Sequence, residues 1–169
     1  MRFTRRAEAA YPGRRFQSFP ALHRWSVEHP EEFWPLAWEF CGLVGQRTGS
    51  PVQRAADPLD WRFFPEARLN VVETLLKNAD GRTALVCIAE NGRRSVLTRA
   101  ELKAEVARLA AALISSGVRP GDHVAGFLPN TATSVICMLA TAWVGAVWSS
   151  CSPEFGADVV VDRFGQIAP

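Results

Sequence analysis

The residues best suited to chemistry lie late in this sequence, in Ser149-Ser150-Cys151-Ser152-Pro153-Glu154-Phe155. Hydroxyls, a thiol, a carboxylate and an aromatic ring follow a β-rich run, Ala146 to Trp148, and precede a further apolar-periodic stretch. A loop at the carboxyl end of a strand is where open parallel α/β sheets bind ligands. The same residues also read as a helix start, with Ser152 as N-cap, Pro153 at the first helical position and Glu154 in the first turn. Both readings stand at this point. Arg163 reads as a phosphate ligand or as a partner for Asp158 or Asp162, and the apolar positions Val159, Val160, Phe164 and Ile167 turn it outward.

Elsewhere the reactive residue types are scattered. The two lysines, Lys77 and Lys103, fall at the end of an amphipathic helix and within a capped one, both positions for solvated groups. His23 and His29 flank helix ends, and His123 opens a strand beside Asp122 with no serine or cysteine placed to complete a triad. Cys41, Cys87, Cys137 and Cys151 make no C-x-x-C pair and have no histidine at metal spacing, so reduced, buried thiols are expected. No catalytic residue and no metal ligand is assigned.

The elements that position these residues follow from spacing. Residues 16–45 are rich in large aromatics, and Pro30 opens a helix whose first turn carries Glu31 and Glu32 and whose apolar stripe runs through Phe33, Trp34, Ala37, Trp38 and Cys41. Glycines and prolines from Gly45 to Pro58 mark a linker, and Trp61 to Pro65 an extended segment. Asn70 to Asn78 is a short amphipathic helix. Ala84 to Ala89, Asn91-Gly92 and Arg93 to Leu97 make a hairpin. Thr98 and Glu101 then form a capping box for a helix with Leu102, Val106, Leu109 and Leu113 on one face. Val124 to Leu128 is a buried strand, Thr131 to Val144 a helix apolar nearly all round, and Ala146 to Trp148 enters the next strand. Strand, helix, strand, helix argues for a parallel α/β sheet.

Composition narrows the class. An apolar fraction of 48% in 169 residues supports a core, and no run approaches the roughly 18 apolar residues of a membrane helix. The net charge of +2 is uneven, because residues 1–24 carry six arginines against Glu8 alone. That arm lacks a secretory apolar core, and its arginines are not spaced along one helical face, so it reads as a solvated, flexible terminus.

GVRPGDHVAGFLPN (Gly117 to Asn130), VLTRAELKAEVARLAAAL before it and GAVWSSCSPEFGADVVVDRFGQIAP after it together resemble the N-terminal part of acyl-CoA synthetases of the adenylate-forming superfamily. Within that superfamily, RWSVEHPEEFW, FFPEARLNVVETLL and WSSCSPEFG resemble the acetoacetyl-CoA synthetase family more closely than the acetyl-CoA synthetase family. The resemblance runs from about Phe16 to Pro169. It implies an incomplete α/β fold: a flexible basic arm at 1–15, an aromatic helical cap and linker at 16–60, and at 61–169 the start of the large AMP-binding domain, with its first hairpin and parallel β-α-β units. It also implies a ligase of lipid metabolism that uses ATP, Mg2+ and CoA to activate a short carboxylate, in the cytoplasm, with no nucleic-acid or membrane partner.

By the same resemblance Ser152, Pro153, Glu154 and Phe155, with Arg163, help line a CoA entrance, and Trp148 borders an acyl pocket. Acetyl-CoA synthetases are glycine-rich at this loop, so Ser-Pro-Glu here makes close approach of a phosphate to the backbone less easy. The family's Ser/Thr/Gly-rich phosphate loop, its ribose and magnesium carboxylates and its C-terminal-domain lysine have no match in these residues. The chain alone is therefore expected to be inactive, its partners being the remainder of the large domain and a C-terminal lid. Stopping at Gln166-Ile167-Ala168-Pro169, between a helix and the strand expected next, the sequence reads as truncated. The alternatives are a non-catalytic CoA-binding or interaction module, or a piece of another short-chain acyl-CoA synthetase.

Overall fold

The structure is a computed structural model that describes residues 2–169. Its contacts divide it into two compact units that part between Leu69 and Asn70, beyond the expected division at 60/61.

The first unit is built on three helices, α1 (Arg2–Ala10), α2 (Phe19–Glu28) and α3 (Pro30–Cys41). Where sequence reading places a flexible arm, α1 packs Ala7 into a buried cluster with Trp25 and Leu36, flanked by Phe3, Tyr11 and Phe16. Phe3, Ala7 and Tyr11 recur every four residues, which gives α1 an apolar face beneath its arginines. Ser18 caps α2 by accepting from the Ala21 amide, and Gly42 ends α3 in the left-handed conformation. Glu32 is the polar centre of this unit. Its carboxylate accepts from Trp25 Nε1 at 3.0 Å and from Arg14 at 3.0 and 3.1 Å, while the Tyr11 hydroxyl donates to its carbonyl at 3.0 Å. The 61–65 segment contributes β2 (Arg62–Phe63), antiparallel to β1 (Val52–Gln53).

The second unit carries the α/β pattern. Its main core cluster is Val72, Leu76, Leu102, Val106, Leu139 and Ala140, with Ala110. The hairpin forms as expected: β3 (Thr83–Ile88) pairs antiparallel with β4 (Arg94–Thr98). At its tip Gly92 takes φ 77°, which glycine adopts without a side-chain clash. The capping box of α5 (Arg99–Ser115) is complete, Thr98 Oγ1 accepting from the Glu101 amide and Glu101 from the Thr98 amide at 2.7 Å. β5 (His123–Phe127), α6 (Ala132–Val144) and β6 (Val147–Cys151) then form a parallel β-α-β unit, in register from His123 opposite Val147 to Phe127 opposite Cys151. α7 (Ala157–Gly165) follows.

Two contacts fix this unit. Asn70 caps α4 (Val71–Leu75) by accepting from the Val72 amide at 2.9 Å, and its amide nitrogen donates to the carbonyls of Ala142 and Trp143 at 2.8 and 3.1 Å. The last turn of α6 is thereby tied to the start of α4. Gly126 of β5 is buried where the Trp148 indole crosses the sheet; a Cβ there would lie 2.7 Å from Trp148 Cζ2. A residue without a side chain is what so close an approach requires.

Candidate functional site

The loops after the two parallel strands, 129–131 after β5 and 152–154 after β6, open on the same side as the hairpin tip, 88–91. Together they wall an open cleft of about 760 Å³. Of the residues singled out in sequence, Ser152, Pro153 and Glu154 line it.

These residues do not start a helix. α7 begins at Ala157 with Gly156 at its N-cap, and 152–155 form a turn in which the Phe155 amide donates to the Ser152 carbonyl at 3.1 Å. Ser152 Oγ accepts from the Glu154 amide at 3.4 Å, a contact at the long end of the hydrogen-bond range. The helix starts only after Gly156, and the stretch with Pro153 stays a loop.

Phe155 and Arg163 meet. The Arg163 guanidinium lies 4.4 Å from the centroid of the Phe155 ring, a cation-π distance. Among the described residues Arg163 makes no ion pair with Asp158 or Asp162, and Asp162 accepts instead from Gln166 at 3.4 Å. Arg163 is exposed, so its charge remains available to an anion while the ring holds its position.

Trp148 is not brought to this cleft. It is half-buried and lines a separate cavity of about 240 Å³, with Leu109, Leu113, Val124, Cys137 and Thr141. Thr141 is fully buried there, and its hydroxyl has no hydrogen-bond partner. Burial pushes the Cys137 thiol upward, away from thiolate chemistry. Elsewhere His123 Nδ1 lies 2.5 Å from the Ile167 carbonyl, and His23 stacks on Phe19. No cluster of three or more metal-binding side chains occurs among the described residues. The residues that sequence reasoning missed are the other walls of the cleft. Asn91 and Pro129-Asn130 are legible as turns, but nothing local says that they lie together.

A parallel β-α-β unit with its loops gathered at the strands' carboxyl ends is the arrangement at which open α/β sheets bind ligands. The chain belongs to the AMP-binding enzyme family, whose model matches residues 72–167. It is similar to the acetoacetyl-coenzyme A synthetase of Rhizobium meliloti (strain 1021), 46% identical over 157 residues, which are 93% of this chain and 24% of that protein. The acetoacetyl-CoA synthetase of Xenopus tropicalis is 41% identical, over 93% of this chain and 24% of its own length. Among solved structures, acetoacetyl-CoA synthetase from Streptomyces lividans superposes with a TM-score of 0.89 at 39% identity, covering 99% of this chain and 26% of that one. The chain thus spans about a quarter of the length of the relatives it matches. Its mixed α/β architecture is a partial region of the adenylate-forming fold. No helix of the described residues is long and apolar enough to cross a membrane.

Proposed function

We propose that this chain is the N-terminal part of an acetoacetate–CoA ligase, an enzyme that converts ATP, acetoacetate and CoA to acetoacetyl-CoA, AMP and pyrophosphate. The observation that carries this reading is the match to an acetoacetyl-CoA synthetase along 99% of the chain, helical cap included, at a TM-score of 0.89. In this reading the first unit is the cap and the second is the start of the large domain, which the remainder of that domain and a C-terminal lid complete.

The residues present do not fit an ATP–Mg2+ site. The only lysines are Lys77 and Lys103, and no cluster of three or more carboxylate, histidine or cysteine side chains is found among the described residues. No adenylation step is assigned to them, and the chain alone is expected to be inactive. What it supplies is one wall of the CoA entrance: Ser152, Pro153 and Glu154 on the cleft, and Phe155 holding Arg163 toward a phosphate. The reading also puts Trp148 at the rim of the acyl pocket, supported by its place on an apolar cavity wall rather than on the loop.

The test is a chimera in which this chain replaces the matching quarter of the Rhizobium meliloti relative. It should release pyrophosphate from ATP when given acetoacetate. A folded chimera that works with acetate and not with acetoacetate would refute the substrate assignment.

A further inference from the structure

β5 is an edge strand with a cavity beside it. It pairs with β6 and, among the described residues, with no other strand. The Asp122 carbonyl accepts from the Val147 amide at 2.8 Å and the Leu128 amide donates to the Cys151 carbonyl at 3.3 Å, so the even-numbered residues of this stretch bond to β6. Alternate residues of a parallel strand turn their backbone groups to opposite sides, which leaves the N–H and C=O groups of His123, Ala125 and Phe127 on the free edge. A lysine, a proline or a bulge usually blunts such an edge, and His123–Phe127 has none of them. The cavity of about 240 Å³ runs along every residue from Val124 to Leu128, while β6 adds only Trp148 to its wall. No charged side chain lines it. On its α6 wall the fully buried Thr141 hydroxyl makes no hydrogen bond, not even to the carbonyl one turn back that a helical threonine can take. A buried hydroxyl left unpaired is destabilising, and a partner brought into the cavity removes that penalty.

We infer that the free edge of β5 is a strand-addition site for an extended, uncharged segment of another polypeptide, whose central side chain enters the cavity and meets Thr141. This role lies beyond the ligase reaction. Backbone groups of the added strand pair with those of Ala125 and Phe127, and side-chain alternation puts every second residue on the cavity side. An apolar stem with an accepting oxygen at its tip, as in glutamine, matches both the wall and the hydroxyl. A carboxylate or an ammonium group is excluded, because the cavity offers no partner to a buried charge.

The experiment is amide chemical-shift mapping of the 15N-labelled chain with three blocked pentapeptides at millimolar concentration: Thr-Val-Gln-Val-Thr, Thr-Val-Leu-Val-Thr, and the first of these with its backbone amides N-methylated. The glutamine peptide should move the amides of Ala125, Phe127 and Thr141 and slow hydrogen exchange at Ala125 and Phe127. The N-methylated peptide, which cannot pair with an edge, should not bind. Thr141→Val removes the hydroxyl at nearly constant shape, so the urea midpoint of the free chain should stay the same or rise. Affinity for the glutamine peptide should fall about two- to tenfold, while that for the leucine peptide stays within about twofold. Equal binding of the N-methylated peptide would overturn strand addition, as would shifts centred on Val147–Cys151 or no shift from the glutamine peptide. Equal weakening of both peptides by Thr141→Val would overturn the role given to the hydroxyl. Movement of the Ala125 and Phe127 amides on raising the chain concentration without peptide would make a second copy the occupant and likewise overturn the inference.

Discussion

Replacing Gly126 by alanine should destabilise the second unit, against the usual preference of strands for alanine over glycine. The new Cβ would sit 2.7 Å from Trp148 Cζ2, about 0.8 Å inside the ~3.5 Å at which carbon atoms pack without repulsion. Either the indole leaves its rotamer or β5 moves away from the β6 register. Overpacking of this kind costs about 1–3 kcal/mol, against which the backbone gain of about 0.5–1 kcal/mol is smaller. For a unit of this size the net change corresponds to a fall in melting temperature of roughly 4–8 °C per kcal/mol. Urea unfolding of the wild type, Gly126→Ala, Trp148→Leu and the double variant forms a cycle. The alanine should be harmless or stabilising once the indole is gone, giving a coupling of about 1–2 kcal/mol. A Gly126→Ala variant equally destabilised in both backgrounds would refute the indole contact as the reason for glycine at this position.

Three further outcomes are expected. Thr98→Ala removes the hydroxyl that accepts from the Glu101 amide, while the backbone amide at this position still donates to the Glu101 carboxylate, and should lower stability by about 1 kcal/mol, read as a shift of the urea midpoint at constant slope. Asn70→Asp keeps a good capping oxygen but turns a carboxylate toward the Ala142 and Trp143 carbonyls, so it should cost about 2 kcal/mol or more by the same measurement; a neutral result would mean that capping alone matters. Burial raises the Glu32 carboxyl, but hydrogen bonds from Trp25 and Arg14 outweigh it and leave the group below the ordinary glutamate range. A depressed folded-state value gives stability above the unfolded-state value that is lost as pH falls through the folded one. Melting temperature of the first unit should therefore drop from about pH 5 downward, and Glu32→Gln should make that drop shallower.

The elements written in short-range chemistry were the legible ones. Asn91-Gly92 and Thr98-Glu101 satisfy their own backbone within a few residues, and both are where spacing puts them. α1 was hidden because its arginines dominate the composition, while the face that folds it is Phe3, Ala7 and Tyr11, whose partners lie on α2 and α3. Ser152-Pro153 was legible as a place and ambiguous as a structure, since the same residues favour a cap and a turn. The cleft itself depends on Ile88, Pro129 and Ser152 converging from distant parts of the chain, and no local pattern encodes that meeting. Its family, by contrast, was readable from the order of motifs.

The bond from Asn70 to Ala142 spans 72 positions in the chain. The hairpin and the capped helix α5 lie wholly inside the loop that it closes, and local pieces of that kind assemble in microseconds. Closing the loop costs entropy that grows with its length, and the reward arrives only when α6 is already seated on α4. Asn70 therefore acts as a late latch: its removal should leave the refolding rate almost unaltered and appear nearly in full as faster unfolding.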